Sequence, residues 1–132
     1  MSSQVLKKWT PLENISERLS LEALHDDYEG VRLLLKGEEP NNQTLRISFD
    51  PSLLYRNIDE GDYMKSLHSF QGGEFLGKWT LFTVENSDFV KWFNEESHGV
   101  HENENIVHYA VLTLNDCIDI LSSHPPAVEW LN

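Results

Sequence analysis

The alternation of apolar and polar residues between positions 19 and 50 restricts the fold of this chain more than any other feature. Leu45, Ile47 and Phe49 alternate with polar residues, and a similar pattern runs through 19–23 and 31–36. A period of two places one face of a strand on a core and the other in solvent. Turn-forming residues separate the three segments. The sequence therefore predicts three consecutive antiparallel strands, a β-meander.

Residues 13–28 have a competing interpretation as a helix. Asn14 or Ser16 could cap it, and Glu17 follows Asn14 by three residues. The alternation that starts at Leu19 favours the strand, and the helix is the alternative.

The second half of the chain contains three further predicted strands. Residues 79–84 (WTLFTV) are all aromatic, β-branched or leucine, and we expect this strand in the middle of a sheet with both faces buried. Residues 106–113 and 117–121 have a comparable composition. Pro125 and Pro126 are expected to end regular structure before the tail.

One helix is well supported, over about residues 88–97. Ser87 is a favourable N-cap residue, and Gly99 provides the left-handed conformation that ends a helix. The apolar stripe, spaced i, i+3 and i+4, consists of Phe89, Trp92 and Phe93. Between residues 51 and 77 the turn formers are mixed with a short helical pattern around Met64.

These elements predict a single α+β domain over residues 1–132. A mostly antiparallel sheet of about six strands would be covered on one face by the helix at 88–97. The connection from 79–84 to 106–113 also has the length of a parallel crossover, so a mixed sheet is the alternative.

Charge is distributed unevenly along the chain. The net charge is −12, and after Lys91 seven acidic residues follow without a further lysine or arginine. Such a field favours a cationic macromolecular partner over nucleic acid or an anionic membrane. Cys117 is the only cysteine, and no apolar segment begins the chain. We therefore expect a cytosolic protein without disulfides.

The strongest candidate for a metal site is the stretch that contains His98, His101, Glu102, Glu104 and His108. Imidazole and carboxylate groups suit zinc and similar ions. Because the helix is expected to end between the first two histidines, their side chains are expected to diverge. A solvated polar loop is the favoured interpretation, and no metal or cofactor is predicted.

Two acidic runs could bind a cation or act as acid and base. They consist of His25, Asp26, Asp27 and Glu29, and of Asp59, Glu60 and Asp62. Neither run has the spacing of a calcium-binding loop. Solvated turn residues are the favoured interpretation, and a surface for a basic partner, with Tyr28 as an aromatic anchor, is the alternative.

Catalytic motifs are missing from the sequence, and no catalytic residue is predicted. There is no Gly-x-Ser-x-Gly elbow and no phosphate-binding loop. Cys117 lies between Asp116 and Asp119 in an apolar segment, which raises the pKa of a thiol, so a buried structural cysteine is expected.

The tryptophans fall into two groups. Trp79 and Trp92 are expected in the core. Trp9 and Trp130, near the termini, are expected to be half-exposed, where they either cover a sheet edge or form part of a contact surface.

Several short segments together resemble those of a group of bacterial proteins. The segments are Phe49-Asp50-Pro51 with Tyr55-Arg56, residues 79–87, His108-Tyr109 and residues 117–121. Over about residues 30–121 the chain is similar to small acidic proteins that behave like immunity partners of polymorphic or contact-dependent toxins. The resemblance implies an α+β fold without catalysis, and a protein that covers the active site of a toxin or a nearby surface. It assigns no functional residue, because immunity surfaces differ between pairs.

The leading hypothesis is a non-enzymatic protein-binding domain that engages a basic protein, such as a toxin, through an acidic surface. The expected partner-binding residues are Asp26, Asp27, Tyr28, Glu29, Glu95, Glu96, Glu102 and Glu104. One alternative is a small-ligand or metal-binding protein, or an enzyme, that uses His98 and His101. Another is a homodimer that pairs through an exposed sheet edge and the terminal tryptophans.

Overall fold

A computed structural model describes residues 4–15, 18–37 and 43–131, and within these ranges the chain forms nine strands in two sheets. The strands are β1 (Val5–Lys8), β2 (Leu19–Asp27), β3 (Gly30–Gly37), β4 (Thr44–Phe49), β5 (Leu54–Asp59), β6 (Leu81–Glu85), β7 (Val107–Leu112), β8 (Asp116–Ser122) and β9 (Ala127–Leu131). The helices are α1 (Met64–Ser69) and α2 (Asp88–Glu96), with 3₁₀ turns at Glu60–Asp62 and Gly73–Phe75.

The order of strands is β1-β6-β7-β8-β5 in one sheet and β2-β3-β4-β9 in the other. All pairings between these strands are antiparallel. The alternative of a parallel crossover is therefore wrong, because β6 pairs directly with β7, with Leu81 opposite Val111. As expected for the segment 79–84, β6 lies inside its sheet, although the strand begins at Leu81.

The predicted meander is confirmed as β2, β3 and β4. The strand β2 pairs with β3 from Leu19 opposite Gly37 to Asp27 opposite Gly30, so the competing helix is wrong wherever the structure describes this segment. Two of its proposed capping residues, Ser16 and Glu17, lie outside the described residues, as do residues 38–42 of the second turn.

The prediction of about six strands is too low, because β1, β5 and β9 were not predicted. Each of the three lies at the edge of a sheet. An edge strand has one neighbour and a partly solvated surface, so it needs less of the apolar alternation that identifies a strand. Regular structure also does not end at Pro125 and Pro126, since β9 follows them and pairs with β4.

The two sheets face each other across an apolar core. The ring centroids of Phe49 and Tyr109 are 5.2 Å apart across it, and the backbone N–H of Leu19 donates to Oγ1 of Thr80 at 3.0 Å. Fully buried side chains of both sheets fill the core, among them Leu33, Leu35, Leu45, Ile47, Val111, Ile118 and Ile120. The coarse α+β class is correct, but the single covered sheet is replaced by a two-sheet sandwich with short helices outside.

The helix α2 lies on the outer face of the five-stranded sheet. The side chain of Ser87 accepts a hydrogen bond from the backbone N–H of Val90 at 3.1 Å, as predicted for an N-cap. Phe89 is buried and meets the imidazole of His108 edge to face, with ring centroids 5.6 Å apart. Trp92, by contrast, is 47% exposed, so its prediction as a core residue is wrong.

Among the described residues, the longest helix has nine residues, and none is long and apolar enough to cross a membrane.

Candidate functional site

The first acidic segment forms the tip of the hairpin between β2 and β3. Tyr28 stands at this tip and is 95% exposed, with Asp26, Asp27 and Glu29 beside it. Asp27 is held by Arg32 through two hydrogen bonds, from Nη1 to Oδ1 at 2.7 Å and from Nη2 to Oδ2 at 3.0 Å. These bonds, with one from the backbone N–H of Glu29, lower the pKa of Asp27 to about 2. Asp27 is thus ionised and paired. Glu29 lies 3.7 Å from the same guanidinium, and Asp26 interacts with the hydroxyl of Tyr55.

The second acidic segment consists of the last two residues of α2 and the loop that follows it. Glu95, Glu96, Glu102 and Glu104 are all exposed. The loop folds back on the helix, since the ring of His101 stacks on Phe93 with centroids 5.3 Å apart.

The imidazole of His101 contacts Glu104, with 2.5 Å between Nδ1 and Oε2. The hydrogen bond from His101 is the main reason why the pKa of Glu104 lies below its usual value. A hydrogen bond from Ser123 lowers it further.

The fold brings these two segments to the same end of the sandwich. Gly30 at the hairpin packs so closely on Phe49 and Asp50 that a Cβ there would lie 2.4 Å from the carbonyl oxygen of Phe49. The chain continues to Pro51, whose carbonyl oxygen accepts a hydrogen bond from Oγ of Ser122 at 3.2 Å. The next residue, Ser123, contacts Glu104. These contacts join Asp26, Asp27, Tyr28, Glu29 and Asp50 to Glu104, and we call this region the acidic end. Glu95, Glu96 and Glu102 belong to the same segment of the chain as Glu104.

The other acidic run lies at the opposite end of the five-stranded sheet. Asp59 is paired with Asp116 at the far end of β5, whereas Leu54 pairs with Leu121 near the acidic end. Glu60 and Asp62 follow in the 3₁₀ turn after β5. The two runs that look alike in sequence are therefore separate in space.

The candidate metal ligands do not converge. His98 is exposed and adopts a left-handed backbone with φ of 52°, and His101 is bonded to Glu104. His108 is buried on β7 and faces Asp119 instead. Across residues 4–15, 18–37 and 43–131, no group of three His, Cys, Asp or Glu side chains could hold a metal ion.

A buried polar network, which was not predicted, lies under α1 and α2. Asp119 on β8 is fully buried and accepts three hydrogen bonds. The donors are Nε of Arg56 at 2.8 Å, the hydroxyl of Tyr63 at 2.8 Å and Nε2 of His108 at 2.6 Å. Burial by itself opposes the ionisation of Asp119, but the hydrogen bond from His108 and the charge of Arg56 outweigh it and lower the pKa of the carboxyl group.

Ser87 completes the network but is not placed as a nucleophile. Its Oγ is 2.7 Å from Nδ1 of His108 and also accepts the N-cap hydrogen bond from Val90. Both ring nitrogens of His108 have a hydrogen-bond partner when Nδ1 accepts from the Ser87 hydroxyl and Nε2–H donates to Asp119. Ser87 is itself buried. The hydroxyl therefore joins α2 to the sheet and has no free side for a substrate.

Asp119 is the residue of this network that the sequence could have revealed. It stands between Ile118 and Ile120 in the buried part of β8, and a carboxylate in such a position requires a buried partner. Arg56 and Tyr63 lie 63 and 56 positions away, so no local signal identifies them.

The remaining predictions concern Cys117, Trp9 and Trp130. Cys117 is buried and free, as predicted, and burial followed by the charge of Asp119 raises the pKa of its thiol to about 12. Trp9 and Trp130 are both partly buried and pack against the core. Trp9 lies against Tyr109, with ring centroids 5.1 Å apart.

Comparison of the chain with protein-family models, with curated proteins and with solved structures returned no match.

Proposed function

We propose that this chain is a non-enzymatic protein-binding domain that engages a basic protein through its acidic end. One observation carries the proposal. Two acidic segments, centred about Tyr28 and Glu102 and far apart in sequence, lie at one end of the sandwich, with an aromatic side chain that is 95% exposed among them. Tyrosine is enriched at the energetic centres of protein interfaces, and a ring of charges around it favours a partner of opposite sign.

The charge of the whole chain supports the same partner. With a net charge of −12, long-range attraction raises the rate at which a basic protein meets this surface by about 10- to 1,000-fold at low salt. The attraction is screened over about 8 Å at physiological ionic strength, so association is expected to slow as salt is added.

A basic toxin is the partner that the resemblance to immunity proteins suggests. In that case the acidic end would cover the catalytic surface of the toxin, and the chain itself would need no chemistry. A cytoplasmic location is part of this proposal, and the buried thiol of Cys117, which has no disulfide partner, is compatible with a reducing compartment.

The experiment compares three immobilised proteins in their capture of basic proteins from the source cells at low salt. They are the wild type, an acidic-end variant (Asp26→Lys, Tyr28→Ala, Glu29→Lys) and an opposite-end control (Glu60→Lys, Asp62→Lys). All five substituted side chains are exposed, so folding should be unaffected, and circular dichroism verifies this. Light scattering beforehand shows whether any of the three self-associates.

The proposal predicts one stoichiometric basic protein that is captured by the wild type and the control and is released by salt. The acidic-end variant should lose it. Equal capture by all three proteins, or loss by the control alone, would contradict a binding surface at the acidic end.

A further inference from the structure

A cavity of about 440 Å³ lies between α1, α2 and the outer face of the five-stranded sheet. Its volume falls within the range of small-molecule sites, about 300–1,000 Å³. It lies beside the buried network, because Arg56, Tyr63 and His108 line it. The proposed function makes no use of this cavity.

Two cations line the cavity in a chain that has only ten lysine and arginine residues. Arg56 is fixed there by the hydrogen bond from its Nε to Asp119 and by the ring of Phe89, whose centroid is 3.9 Å from Cζ. The side chain is 37% exposed, and its terminal amino groups carry further N–H donors. Lys65, on α1, is exposed at the same cavity. A pre-oriented guanidinium and an ammonium group that line the same cavity are favourable partners for a carboxylate.

One acid, Asp88, also lines the cavity and has to be weighed against these cations. It is the first residue of α2, where the helix dipole stabilises a negative charge. Its carboxylate also lies 3.9 Å from Nζ of Lys91. The charge of Asp88 is therefore partly compensated from its own helix. Arg56 is paired with Asp119 through its Nε, so its terminal amino groups and the ammonium group of Lys65 are the donors that line the cavity.

The rest of the wall is aromatic. Phe89 and Trp92 stack on each other with centroids 5.9 Å apart and an interplanar angle of 14°, and Phe70 also lines the cavity. The exposure of Trp92, which is unusual for a tryptophan on the apolar stripe of a helix, follows from its position at this cavity. Apolar walls with a few convergent polar groups are typical of a ligand site.

From this arrangement we propose that the cavity binds a small organic carboxylate with an aromatic body. Its carboxylate pairs with Arg56 and Lys65, and its ring lies against Phe89 and Trp92. The site is independent of the acidic end, so either proposal can fail without the other.

The probe is phenylacetate, compared with 2-phenylethanol and 2-phenylethylamine, which keep the ring and replace the carboxylate by a neutral and a cationic group. Binding is followed by amide chemical shifts in the ¹H–¹⁵N spectrum. We expect saturable shifts at Ser66, Phe89 and Trp92 for phenylacetate, with a dissociation constant on the order of 1 mM, the affinity expected of a ligand with about ten non-hydrogen atoms. The alcohol and the amine should bind more weakly.

Two variants avoid disturbance of the buried network, since both side chains are exposed. Lys65→Gln should weaken phenylacetate binding about 2- to 5-fold, and Trp92→Ala about 3- to 10-fold. The matched control is Lys7→Gln, an exposed lysine on β1 that does not line the cavity. It should leave the affinity unchanged.

Three results would overturn the proposal. They are the absence of saturable shifts, equal binding of the acid, the alcohol and the amine, and an equal loss of affinity in Lys65→Gln and Lys7→Gln.

Discussion

Arg56 and Asp119 lie directly opposite each other on β5 and β8, and Nε of the arginine is 2.8 Å from Oδ2 of the aspartate. The aspartate is fully buried, whereas the arginine is 37% exposed. Within the part of the chain that the structure describes, β5 is an edge strand with β8 as its one neighbour, and this pair ties it to the sheet. The pair also fixes the guanidinium at the cavity.

Removal of the buried carboxylate should destabilise the fold strongly. Asp119→Ala leaves Arg56, Tyr63 and His108 without their common acceptor, and loss of one member of a buried pair costs about 3–5 kcal/mol. The free energy of unfolding from urea titration measures this loss. Asp116→Ala in the same strand is the control and should cost under about 1 kcal/mol, because that side chain is partly exposed. Equal losses in the two variants would contradict the role of the network.

Acid should weaken the fold through the same group. The folded state lowers the pKa of Asp119 below the unfolded value of about 3.9, so its contribution to stability is fully present above about pH 4 to 5 and is lost as the pH falls through the folded pKa. Asp27 and Glu104 contribute with the same sign. The measurement is therefore the difference in the free energy of unfolding between wild type and Asp119→Asn. It should shrink between about pH 5 and pH 2, and a difference that stays constant over this range would refute the assignment.

The hydroxyl of Tyr63 should contribute separately. Tyr63→Phe removes a donor to a charged, buried acceptor, and hydrogen bonds to charged groups are worth about 1.5–3 kcal/mol. Tyr28→Phe removes the same atom from a side chain that is 95% exposed and should change the stability by less than about 0.5 kcal/mol. Urea unfolding of both variants checks the contrast. A Tyr63→Phe protein as stable as Tyr28→Phe would show that the hydroxyl does not stabilise Asp119.

The thiol of Cys117 should be inert in the native protein. It is 1% exposed, and its pKa is raised to about 12 by burial and by the nearby carboxylates, Asp119 first among them. Because the thiolate is the reactive form, a disulfide reagent such as 5,5′-dithiobis(2-nitrobenzoate) should react only as fast as the chain opens. Addition of urea should raise the rate, and fast labelling of the native protein would contradict the buried position.

The sequence allowed prediction of those elements whose signals are local. The alternation from Leu19 to Phe49 indicates the meander, and Ser87 with Phe89 indicates the start of α2. The edge strand β5 has a weaker signal, since its residues mix apolar side chains with Arg56, Asn57 and Asp59. The segment forms a strand because it pairs with β8, and the position of β8 depends on the rest of the sheet.

The candidate sites were predictable to different degrees. The residues of the acidic end could be named from composition and turn signals. Their proximity in space depends on the packing of Gly30 against Asp50 and on the contact between Pro51 and Ser122, which the sequence does not indicate. Two of the three partners of Asp119, Arg56 and Tyr63, could not be named, because they lie on or just after a strand that was not predicted. Long-range contacts of this kind have no signature in the spacing of residues.

The central claim is that the acidic end attracts and binds a basic protein. The most direct test measures the association rate of the captured partner at ionic strengths of about 0.01 M and 0.15 M. The wild type and the opposite-end control (Glu60→Lys, Asp62→Lys) should associate at least about tenfold faster at the lower salt, and the acidic-end variant (Asp26→Lys, Tyr28→Ala, Glu29→Lys) should lose most of this acceleration. A rate that does not depend on salt, or one that falls equally in both variants, would contradict the claim.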